Sequence, residues 1–460
     1  MTNKNTHSGY PSPFIAWSTL GVLSLAYMFS FIDRQILVLL VEPIKADLQI
    51  NDTQVSLLTG FAFAITYTVM GIPLGRVADV WSRKYVIVSS VTVWSLLTIA
   101  SAFTRSFTQL FVTRMGVGFG EAGLTAPAYT IVADLFPPGR LAFAMSVFVL
   151  GGAVGSALSL MLGGLVIGFA DSLGTVNVPF FGSIAPWRLV LIIAGGTSLL
   201  VVVPLLLVPE AKRHHPEHVH PDSSHSAAQP DHMPFKGVLR YMQRKKMFYG
   251  LFIAATSFNY LITYGSAVWF PSYFIRVLGW EAATIGITVG LVGFVPLAVG
   301  GLFSGWLTDR LFAKGHRDIS IRIMMIAGPV LLLLNFVIIY APLIQIKLMA
   351  VALVYFFGAM YAVLTPTAIQ LATPSPIRSQ VSAIILFIMN LVGLGLGPTV
   401  IALVTDYIFR DSMAVGHSIA VVGTAAYLIS TAIFLWTLKP FSHQVITIVD
   451  EQSRETLVEM

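Results

Sequence analysis

The sequence predicts an all-α membrane protein with twelve transmembrane helices in two pseudo-symmetric six-helix bundles. Its composition gives the class, because 56% of the 460 residues are hydrophobic and only 10% are charged. Soluble domains carry about 25% charged residues. Apolar windows of about 20 residues recur from end to end, which is typical of helical membrane proteins. An internal repeat, described below, predicts the two bundles.

The apolar windows define twelve predicted spans, numbered one to twelve in chain order. They cover 14–42, 53–75, 84–104, 107–133, 140–168, 187–208, 247–276, 283–308, 321–342, 346–371, 378–404 and 417–438. With both termini in the cytoplasm, the cytoplasmic loops and tails hold 19 of the 27 Lys and Arg residues, and the opposite side holds six. This asymmetry follows the positive-inside rule. We therefore expect a multi-pass protein of the bacterial inner membrane with both termini cytoplasmic.

Composition shifts divide the chain further. We predict an N-terminal tail (1–13) that is not a signal peptide, a first bundle (14–208), a linker (209–246), a second bundle (247–438) and a C-terminal tail (439–460). Six of the ten histidines fall between His214 and His232 without regular ligand spacing, which favours a solvated linker over a metal site. The stretch PFKGVLRYMQRKKM predicts an amphipathic helix on the anionic inner leaflet.

Two motifs repeat in the two halves of the sequence. The stretch from Gly75 to Asp79 aligns with the stretch that ends at Asp309, at an offset of 230 residues. Arg140 aligns with Arg378 at an offset of 238 residues. Parallel six-helix repeats predict a binding site near the bilayer midplane between the bundles.

The motifs also resemble a known family. GRVADVWSRK (75–84) resembles the loop motif of the major facilitator superfamily, with Ser82 where the family usually has Gly, and GWLTDRLFAKGHR is its second copy. FIDRQ in span one, TRMGVGFGEAG in span four and ADLFPPGR most resemble the Spinster branch. That resemblance implies a proton-coupled transporter that exports lysophospholipids or sphingoid phosphates by alternating access. The anion:cation symporter branch also has an Asp-Arg pair in span one, so a proton-coupled symporter of aromatic or sugar acids is the alternative.

The loop motif supplies candidate gating residues. Gly75 is expected to allow close helix approach, Asp79 to accept from a helix N-terminus of the other bundle, and Arg83 and Lys84 to face the inner leaflet. The full set of gating candidates is Gly75, Asp79, Arg83, Lys84, Asp309, Arg310, Arg140 and Arg378. The glycines of spans five and eleven, in 151–164 and 393–398, predict helix packing and a hinge.

Four charges lie inside the predicted spans of the first half. Asp33 and Arg34 are adjacent in span one, while Arg114 and Glu121 are seven residues apart and share a face of span four. At ~1.5 Å per residue, Asp33 lies at a depth between those of Arg114 and Glu121. Intramembrane ionisable groups usually mark ion or substrate paths. We therefore predict that Asp33 and Glu121 couple protons, and that Arg34 and Arg114 bind an anionic group through their planar forks.

The second half is predicted to contribute polar but uncharged groups to the site. The substrate-binding candidates there are Asn259, Tyr264, Tyr355, Tyr361 and Asn390. The asymmetry suits an anionic or zwitterionic amphiphile whose head binds the first bundle. The sequence has no cysteine, Ser-His-Asp arrangement, HExxH motif or P-loop, so we predict a monomeric carrier, not an enzyme or scaffold. Its partners would be the lipid bilayer, the substrate and protons, with no cofactor, metal or nucleic acid.

Overall fold

The structure of the protein is a computed structural model. It describes residues 10–178, 182–210, 235–374 and 377–459. Within these ranges the chain is helical apart from turns and one short hairpin, in which Val176–Val178 pairs antiparallel with Gly182–Ile184. The hairpin connects spans five and six, where the sequence indicated only a loop.

Most predicted spans correspond to one long helix, and a few are divided. The helices of the first half are Pro13–Leu39, Val41–Leu48, Asp52–Ser56, Leu57–Phe61 (a π-helix), Ala62–Val80, Arg83–Ser101, Phe107–Glu121, Thr125–Leu135, Pro138–Leu173, Pro186–Leu200 and Val202–Leu207. Those of the second half are Phe235–Arg244, Lys246–Leu278, Ala282–Ala313, Ile319–Tyr340, Ile344–Leu371, Arg378–Asn390, Leu391–Leu396 (π), Gly397–Leu403, Val404–Phe409 (π), Ser412–Ala414 (3₁₀) and Val415–Glu459.

Span four is divided into two shorter helices. Eleven stretches of the described chain are long and apolar enough to cross a membrane, and together with the divided span four they account for the twelve predicted spans. Span four consists of Phe107–Glu121 and Thr125–Leu135, separated by a turn in which Gly123 N donates to Gly120 O at 3.3 Å. Glycine has a low helix propensity, so the glycines on both sides of Glu121 favour a break here.

The last helix extends past the predicted end of span twelve at residue 438. It continues to Glu459 because apolar residues go on at helical spacing beyond the hydrophobic window. Phe441, Val445 and Ile448 are all buried. The helix therefore continues past the predicted span, and its part up to Ile448 packs against the protein.

The chain divides into two compact units. Unit 1 comprises Met1–Leu48 and Ile65–Ala227, and unit 2 comprises Gln49–Ala64 and Ala228–Met460. The boundary after 227 falls within the predicted linker, whose residues 211–234, including its histidines, lie outside the described residues. The predicted first bundle includes residues 53–64, whereas the structure groups this part of span two with the second half.

Glycines allow close helix packing in both units. In unit 1, a Cβ built on Gly155 of span five would lie 2.7 Å from Met28 Cα of span one. In unit 2, a Cβ built on Gly397 of span eleven would overlap the Leu261 carbonyl oxygen of span seven. Small residues allow such close backbone contacts between membrane helices. The packing role predicted for the glycine stretches of spans five and eleven is confirmed at these positions.

Candidate functional site

The candidate site is a buried polar cluster in unit 1, built around span one. Asp33 and Arg34 lie in the last two turns of Pro13–Leu39, and Ser30 precedes Arg34 by one turn on the same face. Asp33 is 1% exposed and Ser30 is also buried. The regular helix of span one therefore presents two charges and a hydroxyl inside the unit.

Arg34 and Glu121 form a direct ion pair. Arg34 Nε lies 2.6 Å from Glu121 Oε2. Ser30 Oγ donates to the same carboxylate oxygen at 2.7 Å and accepts from Arg34 Nη2 at 3.2 Å. The Arg34 guanidinium also lies over the rings of Tyr67, at 4.5 Å, and Phe31, at 5.2 Å, which are favourable cation–π distances. Arg34 is thus engaged by a carboxylate, a hydroxyl and two rings.

Asp33 is held by span three and is not paired with the neighbouring arginines. Thr98 Oγ1 donates to Asp33 Oδ2 at 2.6 Å, and Thr98 is fully buried. The other oxygen, Asp33 Oδ1, is buried with no hydrogen-bond donor among the described residues. Neither Thr98 nor Ser30 is among the site residues predicted from the sequence. Hydroxyl residues within helices often bond to the preceding turn of their own helix, so their sequence positions alone do not reveal this role.

Arg114 is the cation of the cluster that is not held by a direct ion pair with a described carboxylate. It is 2% exposed, and its Nε has no hydrogen-bond partner in the part of the chain that the structure describes. It interacts electrostatically with Asp33, Glu121 and Arg34, so the structure brings all four predicted charges together. Since a buried charge without direct pairing is costly, Arg114 is a favourable position for an added anion.

The polar candidates of unit 2 differ in how they are already bonded. Asn259 is buried, and its Nδ2 has no hydrogen-bond partner among the described residues. Tyr264, Tyr355 and Asn390 are half-buried. Tyr361 is buried, and its hydroxyl donates to the Met324 carbonyl oxygen at 2.5 Å. This bond favours a packing role for Tyr361 and leaves the other four as better binding candidates.

The second half, from which the sequence predicts only uncharged site residues, also contains a buried charge. Lys347 is 5% exposed, and its Nζ donates to the carbonyl oxygens of Ile338 and Ile339 at 2.8 and 2.7 Å. It thereby satisfies carbonyls at the C-terminal end of span nine, where a cation also complements the helix dipole. From the sequence, Lys347 is the second residue of predicted span ten and counts among the six cations of the outer side. The helix Ile344–Leu371 begins before it, and its side chain is buried.

A second buried ion pair joins the start of span two to span seven within unit 2. Arg276 Nη1 and Nη2 donate to the two Asp52 carboxylate oxygens at 2.6 and 2.8 Å. Next to it, Thr53 N and Oγ1 both donate to Asp406 Oδ2 at 2.7 Å, and Ser56 Oγ donates to Thr399 Oγ1 at 3.2 Å. We call Asp52, Thr53, Ser56 and their partners the span-two clamp. It explains why residues 49–64 belong to unit 2.

Comparison with known proteins identifies the family. The profile described as Major Facilitator Superfamily matches residues 23–398. The chain belongs to the major facilitator superfamily. A Mycolicibacterium smegmatis protein named as an MFS-type efflux pump is 30% identical over 440 residues, covering 94% of each chain. The hexuronate transporter of Bacillus subtilis is 25% identical over 417 residues, covering 87% of this chain and 92% of the other.

The fold comparison agrees with this family. A solved structure of a bacterial homologue of the human lysosomal transporter Spinster, inward-facing and unoccupied, matches with a TM-score of 0.74 and 22% identity. The match covers 96% of this chain and 98% of that one. Spinster proteins are also among the relatives of this sequence. The predicted fold and the resemblance to the Spinster branch of the superfamily are confirmed, and family and fold point to a multi-pass membrane transporter, not an enzyme.

The superfamily loop motif is arranged differently from the prediction at two positions. A Cβ built on Gly75 would be 3.9 Å from Ala126 Cβ, an ordinary contact, so Gly75 does not mark a close helix approach in this structure. Arg83 is buried and pairs with Asp134 at 2.6 Å. It does not face the leaflet as predicted, because an acid at the end of span four draws it inward. The side chain of Asp79 lies outside the described residues.

The other gating candidates of this superfamily member lie nearer the surface. Lys84 Nζ donates to the Leu206 carbonyl oxygen at 2.7 Å. Arg140, Asp309 and Arg310 are exposed, and the Arg310 guanidinium lies 5.4 Å from the Trp306 ring. Arg378 is half-buried, and its Nε donates to the Thr373 carbonyl oxygen at 3.2 Å. Their gating roles remain predictions.

In the ranges for which side chains are described, His, Cys, Asp and Glu do not form a group of three or more that could hold a metal ion. The predicted solvated state of the linker histidines concerns residues outside those ranges.

Proposed function

We propose that this major facilitator transporter is proton-coupled and moves lysophospholipid- or sphingoid-phosphate-like amphiphiles by alternating access. One observation carries the proposal. A buried guanidinium, Arg114, whose Nε has no hydrogen-bond partner among the described residues, interacts with two carboxylates, one of which is paired with Arg34. Ionisable groups inside membrane spans usually serve ion or substrate paths, and this cluster contains both a cation that can receive an anion and groups that can take protons.

The four charges then have two distinct roles. Arg114 receives the phosphate or carboxylate of the substrate, because its planar fork matches such groups with two parallel hydrogen bonds. Arg34 is already held by Glu121 and Ser30, so it acts mainly as the partner of a coupling carboxylate. This assignment sharpens the expectation that both arginines bind the anionic head.

Proton coupling follows from competition for the same positive charge. Asp33 and Glu121 both interact electrostatically with Arg114. A substrate anion that binds Arg114 offsets the positive charge that favours their ionised forms, so substrate binding favours proton uptake. The influence is reciprocal, because proton uptake must then strengthen anion binding by the same factor. Water that enters the site at the other membrane face would favour release of both.

The neutral candidates of unit 2 are proposed to contact the part of the substrate beyond its anionic group. The neutral candidates of unit 2, which include Asn259 and the half-buried Tyr264 and Tyr355, suit a glycerol or sphingoid backbone more than a second anionic group. The protein would work as a monomer in a bacterial inner membrane, with both termini in the cytoplasm.

A second candidate function is proton-coupled symport of small organic anions. It is favoured by the similarity to a hexuronate transporter over most of both chains. Arg114 would bind a sugar-acid carboxylate by the same chemistry. The two candidates differ in what the rest of the substrate requires, which is an apolar surface for an acyl chain or polar groups for a sugar.

A flux assay in liposomes distinguishes the candidates. The purified protein is reconstituted, and uptake of a lysophospholipid, a sphingoid phosphate, a hexuronate and an aromatic acid is measured with and without a pH gradient. We expect the amphiphiles to move and their flux to respond to the gradient. Gradient-driven flux of the small acids alone would favour the second candidate, and flux that ignores the gradient would contradict proton coupling.

A further inference from the structure

The helix that precedes span seven carries three parallel stripes of different character. Lys236, Arg240 and Arg244 follow one another at intervals of four residues, so they share one face and are about 6 Å apart along the axis. Phe235 and Leu239 form a neighbouring stripe that is 59% and 37% exposed. These two stripes are called the basic face and the apolar edge below.

The third stripe attaches this helix to unit 2. Val238 and Met242 are buried. Tyr241 Oη accepts a hydrogen bond at 2.8 Å from Gln444 Nε2, which belongs to the helical continuation after span twelve. The Tyr241 ring also packs edge-on against the Tyr249 ring of span seven at 6.2 Å. The helix is therefore held in one orientation, and its basic face and apolar edge both point away from the unit.

The helix and the start of span seven carry five basic residues. Lys236, Arg240 and Arg244 are exposed, and Lys245 and Lys246 follow them directly. None of these five side chains forms an ion pair with a carboxylate among the residues whose side chains the structure describes. Five cations without an ion-pair partner in the described part of the chain, beside exposed apolar side chains at the end of a membrane span, have the chemistry of an interfacial lipid-binding helix.

We propose that the basic face binds the phosphate headgroups of anionic phospholipids in the leaflet where span seven begins, with the apolar edge inserted among their acyl chains. Met247, which is 62% exposed at the start of span seven, extends the apolar edge toward the bilayer. Because Gln444 holds this helix against the last helix, bound lipid would also stabilise the end of the chain. The proposal does not depend on which substrate the transporter moves.

Phosphatidylglycerol titrated into the purified, delipidated full-length protein in neutral detergent provides the first test. Each basic residue near an anionic surface contributes about 1 kcal/mol, so Lys236→Gln with Arg240→Gln and Arg244→Gln should weaken binding on the order of a hundredfold. Added salt should weaken binding by the unmodified protein. A control with Arg105→Gln, Lys314→Gln and Lys439→Gln removes the same charge from other exposed positions and should bind like the parent.

The position of the helix provides the second test. The chain has no cysteine, so Leu239→Cys carries a single spin label in vesicles of phosphatidylcholine with or without phosphatidylglycerol. When phosphatidylglycerol is present, we expect the label to be more accessible to oxygen than to a water-soluble nickel chelate. The ratio of these two accessibilities should be smaller in the triple variant.

Two results would overturn the proposal. Equal affinity for phosphatidylglycerol and phosphatidylcholine would show that the basic face does not select anionic headgroups. Phosphatidylglycerol binding that appears only after Asp450→Asn, Glu451→Gln and Glu455→Gln would show that the acidic end of the chain occupies the basic face in place of lipid.

Discussion

Thr98→Val tests whether Thr98 keeps Asp33 away from Arg114, so that Arg114 remains available to an anionic substrate. Thr98 Oγ1 makes a 2.6 Å hydrogen bond to Asp33, whose other oxygen has no donor among the described residues. Valine has nearly the same shape but no hydroxyl, so Asp33 would lose that donor and turn toward Arg114. Hydrogen bonds to charged groups contribute about 1.5–3 kcal/mol. If Asp33 competes with the substrate for Arg114 by that amount, substrate affinity falls roughly 10- to 150-fold.

Equilibrium binding of a radiolabelled lysophospholipid to the purified protein measures the effect. Thr98→Ser is the matched control, because it keeps the hydroxyl and should bind within a few-fold of the parent. Thermal unfolding of both variants checks that the protein remains folded. If the folded Thr98→Val variant binds the lysophospholipid as tightly as the parent does, then Thr98 does not keep Arg114 available to the substrate. That result would contradict the proposed roles of the cluster.

Three further predictions concern the anion site and the packing of span two. Arg114→Lys keeps the charge but loses the fork, so substrate affinity should fall about tenfold or more; unchanged affinity would contradict two-pronged binding. Gly60→Ala places a methyl 2.6 Å from a backbone carbonyl and should destabilise unit 2 by about 1–3 kcal/mol in thermal unfolding, whereas Gly71→Ala has open space and should not. Asp52→Asn leaves the buried Arg276 side chain without its carboxylate, at a cost of about 3–5 kcal/mol. A cysteine introduced by Ser56→Cys should then react faster with a thiol reagent than it does when Asp52 is present. An unchanged rate would show that the span-two clamp does not depend on the ion pair.

The sequence alone predicted the charged part of the site and the number of spans. Charges are so rare within apolar windows that Asp33, Arg34, Arg114 and Glu121 stand out without any structure. The spacing of Arg114 and Glu121 on one helix face also showed that span four could supply partners for span one. Which charges pair directly depends on side-chain geometry, and Ser30 decides it together with Glu121.

The errors arose where helices extend past the apolar windows. Arg276 is the last residue of predicted span seven and Lys347 the second residue of predicted span ten, so both were expected at the outer surface of the membrane. The structure buries both, because Asp52 neutralises one and the carbonyls at the end of span nine receive the other. Arg83 was expected at the leaflet for the same reason, and its partner Asp134 lies 51 residues further along the chain. Partners so distant in sequence cannot be recognised from local patterns.

Proton-driven flux in two carboxylate variants tests the central claim most directly. Asp33→Asn and Glu121→Gln each imitate one protonated carboxylate in the cluster. In reconstituted vesicles we expect both variants to retain gradient-free exchange of the lysophospholipid while flux driven by a pH gradient collapses. If both variants respond to the gradient as the parent does, the buried cluster is a structural ion network and the proposed coupling mechanism is wrong.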